Sequence, residues 1–236
     1  MSKLFNEPTY NIYLIGPPGS GKSSFVNSCY HLLNSSSKVE REIACVGGTM
    51  DHCTLVCKRY RLFDLQTKEM TNTRLFDTCG LEDDDASFPM LLKGRVKIGT
   101  NEIVNPIPRS SPESIHPNCI ILFIPAADII AGSANVHSYT KRVQQIKCDI
   151  VGVCVFITKV DEVNKSVCTK ITNRDCDDLI QKAADILKLN KESIVPLVNY
   201  TNETRKSLLV DLWIFRALKL ALIESHSSKI LNKLNM

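Results

Sequence analysis

Six short apolar runs punctuate the chain, at 10–15, 54–63, 73–77, 119–124, 150–157 and 193–198, with stretches of helical period between them. Runs of this length read as strands, and their alternation with helices predicts an α/β fold: a mainly parallel central sheet with helices on both faces. The run at 150–157 (Ile-Val-Gly-Val-Cys-Val-Phe-Ile) is apolar nearly throughout, as a strand covered on both faces should be. Helices are expected over 24–33, near 86–96 and over 203–224. In the last of these, Leu208, Leu212, Phe215, Leu218 and Leu222 form one stripe, which Leu209, Trp213 and Leu220 widen. Such a stripe is expected to pack on the sheet; the alternative is an exposed face for a partner.

Chemistry enters at the end of the first run. Gly16-Pro-Pro-Gly-Ser-Gly-Lys-Ser23 has the GxxxxGKS spacing, between an expected strand and an expected helix. Gly16, Gly19 and Gly21 allow the backbone to curl so that the N–H groups of this turn, with Ser20 and Ser24, face an oligophosphate, and the positive end of the following helix adds to the attraction. Lys22 is expected on the β- and γ-phosphates, and Ser23 is expected to give its hydroxyl to Mg²⁺. Nucleotide binding is the first functional implication.

The strand at 150–157 ends in Thr158-Lys159-Val160-Asp161, a TKxD sequence. A carboxylate held at the edge of a base accepts from the ring N1–H and exocyclic amine of guanine, and adenine offers neither donor in that arrangement. Asp161 is therefore expected to set specificity, with Lys159 laying its stem along the base and Thr158 bracing the loop. Between the two motifs, the strand at 73–77 runs into Asp77-Thr78-Cys79-Gly80. Asp77 fits an acidic Mg²⁺ partner at a strand end, and the Gly80 N–H fits the γ-phosphate. A switch threonine is expected before the second strand. Thr54, at a junction of loop and strand, is favoured over Thr49, and either is also readable as an ordinary polar residue.

Length and composition narrow the class further. The 236 residues suit one domain, 1–236, with an N-terminal arm over 1–9, a long insertion over 81–118 and a polar tail over 225–236. Net charge is +4 from 29 basic and 25 acidic side chains, too balanced to mark a nucleic-acid partner. No stretch reaches the ~20 apolar residues of a membrane span, and the first residues lack a secretory core, so a cytoplasmic protein is expected. Ten cysteines include no CxxC pair, and Cys119 and Cys154 fall inside apolar runs, which favours buried thiols over disulfides or zinc. Cys53, Cys57 and His52 lack further metal partners in the sequence. The run Glu82-Asp83-Asp84-Asp85 reads as helix-capping charge before it reads as a partner surface.

These segments resemble a known family. The phosphate loop with Ser-Phe-Val-Asn-Ser after it, Asp77-Thr-Cys-Gly-Leu81, Leu91-Leu-Lys-Gly-Arg-Val96, Thr158 to Asp161, Leu197-Val-Asn-Tyr200 and the closing helix from Asp211 are similar to the interferon-induced protein 44 family of GTP-binding proteins. The resemblance covers 10–224 and implies a three-layer P-loop G domain, GTP/GDP with Mg²⁺ as ligands, and a cytoplasmic role in innate immune or antiviral responses. Ile124-Pro125-Ala126 stands where such domains often carry an Asp, and, with nine residues ahead of the first apolar run, the N-terminal domain common in the family is not expected in this chain. Asn199 falls where G domains close a loop over guanine, so a base or ribose contact is expected there, a simple turn residue being the alternative.

Hydrolysis is expected to be slow. Many G domains place a glutamine directly after DxxG to orient water, and Leu81 occupies that position. Pro18 and Gly19 supply no catalytic side chain from the loop, so the expected accelerator is a protein partner or a second copy docking across the nucleotide face. The rival reading is a non-hydrolysing GTP-binding scaffold. A P-loop small-molecule kinase would need an Arg-rich lid, and 81–118 holds only Arg95 and Arg109.

Overall fold

The computed structural model describes residues 9–34, 43–44, 57–63, 67, 69–78, 88–95, 115–168, 176–201 and 203–234. Six strands build one sheet: β1 (Tyr10–Ile15), β2 (Lys58–Phe63), β3 (Met70–Asp77), β4 (Cys119–Pro125), β5 (Gly152–Thr158) and β6 (Ile194–Leu197). They lie in the order β2-β3-β1-β4-β5-β6. Every pair is parallel except β2 with β3, which is antiparallel. The link from Phe63 to Met70 is too short for the crossover of a dozen or more residues that parallel neighbours need, so the chain turns back on itself. Longer links carry α1 (Lys22–Leu33), α2 (Phe88–Leu92), α3 (Ala126–Ala131), α4 (Ala134–Cys148), α5 (Val160–Val163), α6 (Asp177–Leu187) and α7 (Leu208–Leu234).

Two cores form, one on each face of the sheet. On one, Phe25, Val26 and Cys29 of α1 and Ile214, Ala217, Leu218 and Ala221 of α7 bury Ile12, Leu14, Leu75, Phe123 and Phe156. On the other, α3, α4 and α6 cover Tyr13, Phe76, Leu122, Ile124 and Val155 with Ile129, Val143, Ile146, Ala183 and Leu187. All seven residues of β5 are buried, as its unbroken apolar run requires. The expected three-layer α/β class is therefore the observed one.

Several boundaries differ from the expectations. β3 is longer than 73–77, and its first half is polar, which hid it from an apolar count. β5 begins two residues later than 150, because Ile150 takes a left-handed φ of 53° as α4 ends. Of the helix expected near 86–96, five residues are helical, Phe88–Leu92, and Gly94 closes the turn with φ 66°. The helix expected over 203–224 starts at Leu208 and continues to Leu234, into the polar segment 225–236.

The packed face of α7 matches the expected stripes in part. Trp213 and Leu218 are buried and Leu220 and Leu222 pack partly against the core, joined by Ile214, Ala217, Ala221, Ser225 and Ser228, whereas Leu208 and Phe215 are 76% and 49% exposed. Small residues bring the helix close to the sheet: a Cβ added to Gly152 of β5 would stand 2.7 Å from the Glu224 carbonyl oxygen. Ser225 and Ser228 satisfy their hydroxyls on the Ala221 and Ile150 carbonyls, which makes serine compatible with burial here. Cys119 and Cys154 are buried free thiols, 3.7 Å apart on adjacent strands. No helix among the described residues is long and apolar enough to cross a membrane.

Candidate functional site

The site is assembled at the ends of β1, β3, β5 and β6. β1 delivers the chain into the turn at 16–21, and Gly16 passes so close to β4 that a Cβ would lie 2.5 Å from the Phe123 carbonyl oxygen. Gly21 takes a left-handed conformation, φ 94°, as the residue capping α1. Only glycine adopts that shape at no steric cost, and it leads the first N–H groups of α1 into the turn. Lys22 is buried, and its ammonium donates to the Gly16 and Pro17 carbonyls at 2.9 and 3.0 Å. The positive charge is thereby kept against the start of the loop.

β3 supplies the carboxylate. Parallel pairing sets Asp77 beside Leu14, and the Thr78 hydroxyl donates to the Leu14 carbonyl at 2.7 Å, fixing the strand end against β1. The Ser23 hydroxyl then donates to Asp77 Oδ2 at 2.7 Å, and Asp77 is 1% exposed. A hydroxyl and a carboxylate converging at the start of a helix are the hard oxygen donors that suit Mg²⁺. The expected metal pair is thus adjacent in space although 54 residues apart in sequence.

β5 and β6 close the other side. Thr158 ends β5, in register with Leu197 of β6. Lys159 has a left-handed φ of 57° and caps α5, which places Asp161 in the first turn of that helix. Lys159 lies 3.8 Å from Glu162 and is half exposed, so its stem is open to a planar ligand. Thr158, expected to brace the loop of its own motif, has a buried hydroxyl with no hydrogen-bond partner. Asn199 connects this side to the phosphate loop, its side-chain NH₂ donating to the Gly21 carbonyl at 3.2 Å while its Oδ1 stays unpartnered. Together with the buried Ser20 hydroxyl, also unpartnered, three orphaned polar atoms line this junction. Buried polar atoms without partners are uncommon and mark places where a ligand completes the bonding.

Tyr200 is a part of the site that the sequence pattern did not single out by role. Its backbone N–H donates to Ser28 Oγ of α1 at 3.0 Å. Its hydroxyl donates toward Asp211 of α7 at 2.8 Å and accepts from the Ser207 N–H at 2.8 Å. Burial, reinforced by the nearby Asp211 carboxylate, pushes the Tyr200 hydroxyl pKa well up, so it remains a donor at neutral pH. Only the Leu-Val-Asn-Tyr segment hinted that this turn is specialised. Thr49, Thr54 and Gly80, the remaining site expectations, lie outside the described residues, as do His52, Cys53 and Leu81.

No known family profile matches the chain. Among solved structures, the FeoB G-domain from Methanococcus jannaschii is similar, with 15% identity, a TM-score of 0.43, and coverage of 93% of this chain and 99% of that one. That likeness is to a G domain and lends nothing to the narrower resemblance to the interferon-induced protein 44 family. At this identity and score no residue role is transferred from it.

Proposed function

We propose that the chain binds a guanine nucleotide with Mg²⁺ and acts as a GTP/GDP switch whose own hydrolysis is slow. The observation that carries this reading is the 2.7 Å contact between Ser23 and Asp77, which joins the phosphate loop to the strand-end carboxylate. Lys22 and the N–H groups of α1 would hold the β- and γ-phosphates, and Ser23 with Asp77 would hold the metal. Mg²⁺ held there would neutralise charge on the phosphate oxygens. Guanine selectivity falls to Asp161, which opens α5 beside the half-exposed Lys159 stem.

Thr54 and Gly80 keep their proposed places on the metal and the γ-phosphate. Leu81, which lacks any hydrogen-bonding side-chain atom, supports slow turnover, and a protein partner or second copy would supply the missing group. A finger supplied in trans is worth ~10³ to 10⁵ in rate in other phosphoryl-transfer systems. The motif resemblance is the support for an innate immune or antiviral, cytoplasmic setting.

Thermal shift with GTP, GDP, ATP and XTP in Mg²⁺ tests the reading. A ligand at 100 times its Kd adds ~2.7 kcal/mol of apparent stability. GTP and GDP should raise the Tm, ATP should do so far less, Lys22→Ala should remove the shift, and Asp161→Asn should transfer preference to XTP. Equal stabilisation by ATP and GTP refutes the guanine assignment.

A further inference from the structure

Away from the nucleotide site, the edge of the sheet carries a group of arginines. Arg61 of β2 stands directly opposite Arg74 of β3 in the antiparallel register, and Arg59 follows two positions along, opposite Phe76. Side chains two apart on a strand point to the same face, so all three guanidiniums share one face of the sheet edge. It is the face that carries Tyr13 and Phe76, whose rings stack at 4.4 Å nearer the centre of the sheet. Arg59 and Arg61 are exposed and Arg74 is half-buried. No carboxylate among the described residues pairs with any of them.

Like charges directly opposite on neighbouring strands destabilise a sheet. Burial, then the charges of Arg59 and Arg61, depress the Arg74 pKa from the ordinary arginine value. A repulsion that no carboxylate among the described residues offsets sets local stability aside for something else. On the opposite face, Tyr60, Leu62 and Leu75 are packed under α1 and its neighbours, so the repulsion is confined to the arginine face.

We propose that this face binds an extended acidic segment of a partner protein, with carboxylates at alternate positions. The spacing is what selects that occupant. Arg59 and Arg61 repeat every ~7 Å along β2, the repeat of alternate side chains in an extended peptide. Arg74 sits ~5 Å across from Arg61, close enough for one carboxylate to bridge both forks. Arg59 and Arg61 are exposed in a row along one strand, which suits a chain laid across them better than a compact anion that needs enclosing. Arg74 precedes Asp77 by three strand positions, ~10 Å, so the surface is separate from the phosphate loop.

Fluorescence anisotropy on the full chain provides the test, with a labelled peptide containing Glu-Thr-Glu-Thr-Glu and its Gln-Thr-Gln-Thr-Gln counterpart. The glutamate peptide should bind about tenfold more tightly, with the difference shrinking as salt rises. Arg61→Gln and Arg74→Gln should each weaken it about fivefold, the scale of a favourable exposed ion pair, and Lys219→Gln on α7 should not. Because either arginine substitution relieves repulsion, neither should lower the Tm. Equal binding of the two peptides, or indifference to the arginine substitutions, overturns the proposal. So does tighter binding of inositol hexakisphosphate at the same residues, which would assign the face to a compact polyanion. A Tm lowered by both arginine substitutions would show that the guanidiniums serve the sheet itself and would also overturn it.

Discussion

Replacing Asn199 separates a residue that positions the phosphate loop from one that touches the base. Its NH₂ donates to the Gly21 carbonyl at 3.2 Å, and that carbonyl also accepts the Phe25 N–H at 2.9 Å as the first bond of α1. Asn199→Ala therefore removes one hydrogen bond without orphaning the carbonyl. The cost should be about 1 kcal/mol, or about fivefold in Kd for a nucleotide that needs the loop in place. Asn199→Asp substitutes acceptors for the donor and sets a carboxylate against a carbonyl oxygen beside the phosphate site. Loss of the bond plus burial of an unpaired charge should cost about 3 kcal/mol, roughly a hundredfold. Kd measured for GDP and for guanosine, by calorimetry and by competition, gives the answer. A brace acts through the phosphates, so guanosine affinity should hardly change while GDP affinity falls in the order wild type, Ala, Asp. Equal losses for guanosine and GDP would refute the brace and restore the base or ribose contact, and a milder effect of Asp than of Ala would refute the donor role.

Three further outcomes follow from the packing. Gly152→Ala would place a Cβ 2.7 Å from the Glu224 carbonyl, so α7 must shift, and chemical denaturation should show a loss of about 1–3 kcal/mol. Burial raises the Glu224 carboxyl above its ordinary pKa, which means the ionised form costs stability once pH exceeds the unfolded value. Glu224→Gln should accordingly raise the Tm at neutral pH and give no such gain below the ordinary glutamate range, which melts recorded across pH will show. Tyr200→Phe removes the acceptor of the Ser207 N–H and the donor toward Asp211, and should cost about 1–3 kcal/mol by denaturation with the Tyr200 ring contacts left in place.

The legible parts of this chain were those where one residue type serves one local need. The glycines and lysine of the loop, the apolar run of β5 and the Asp77 carboxylate at a strand end all follow from backbone geometry or charge that no neighbour can change. The face of α7 was legible only in part: Trp213 and Leu218 lay in the expected stripes, but Ala217, Ala221, Ser225 and Ser228 are buried through closeness of approach to the sheet, not through side-chain hydrophobicity. The antiparallel course of β2 was hidden in the length of a link. Asn199 shows a third limit: its place in the chain put it on the base or ribose, while its bond to the phosphate loop depends on a contact across 178 residues of sequence.

Asn199 and Tyr200 are neighbours in the chain, and the first holds the phosphate loop while the second holds the start of α7. One peptide unit therefore sits between a ligand site and a helix whose outer side still shows Leu208, Phe215 and Ile223 to solvent. Any molecule gripping that side and displacing this peptide would alter nucleotide affinity by some factor, and thermodynamic reciprocity obliges the nucleotide to alter the grip by the same factor. Control of the proposed switch from outside would then need no long relay through the protein, only the tilt of a single amide plane.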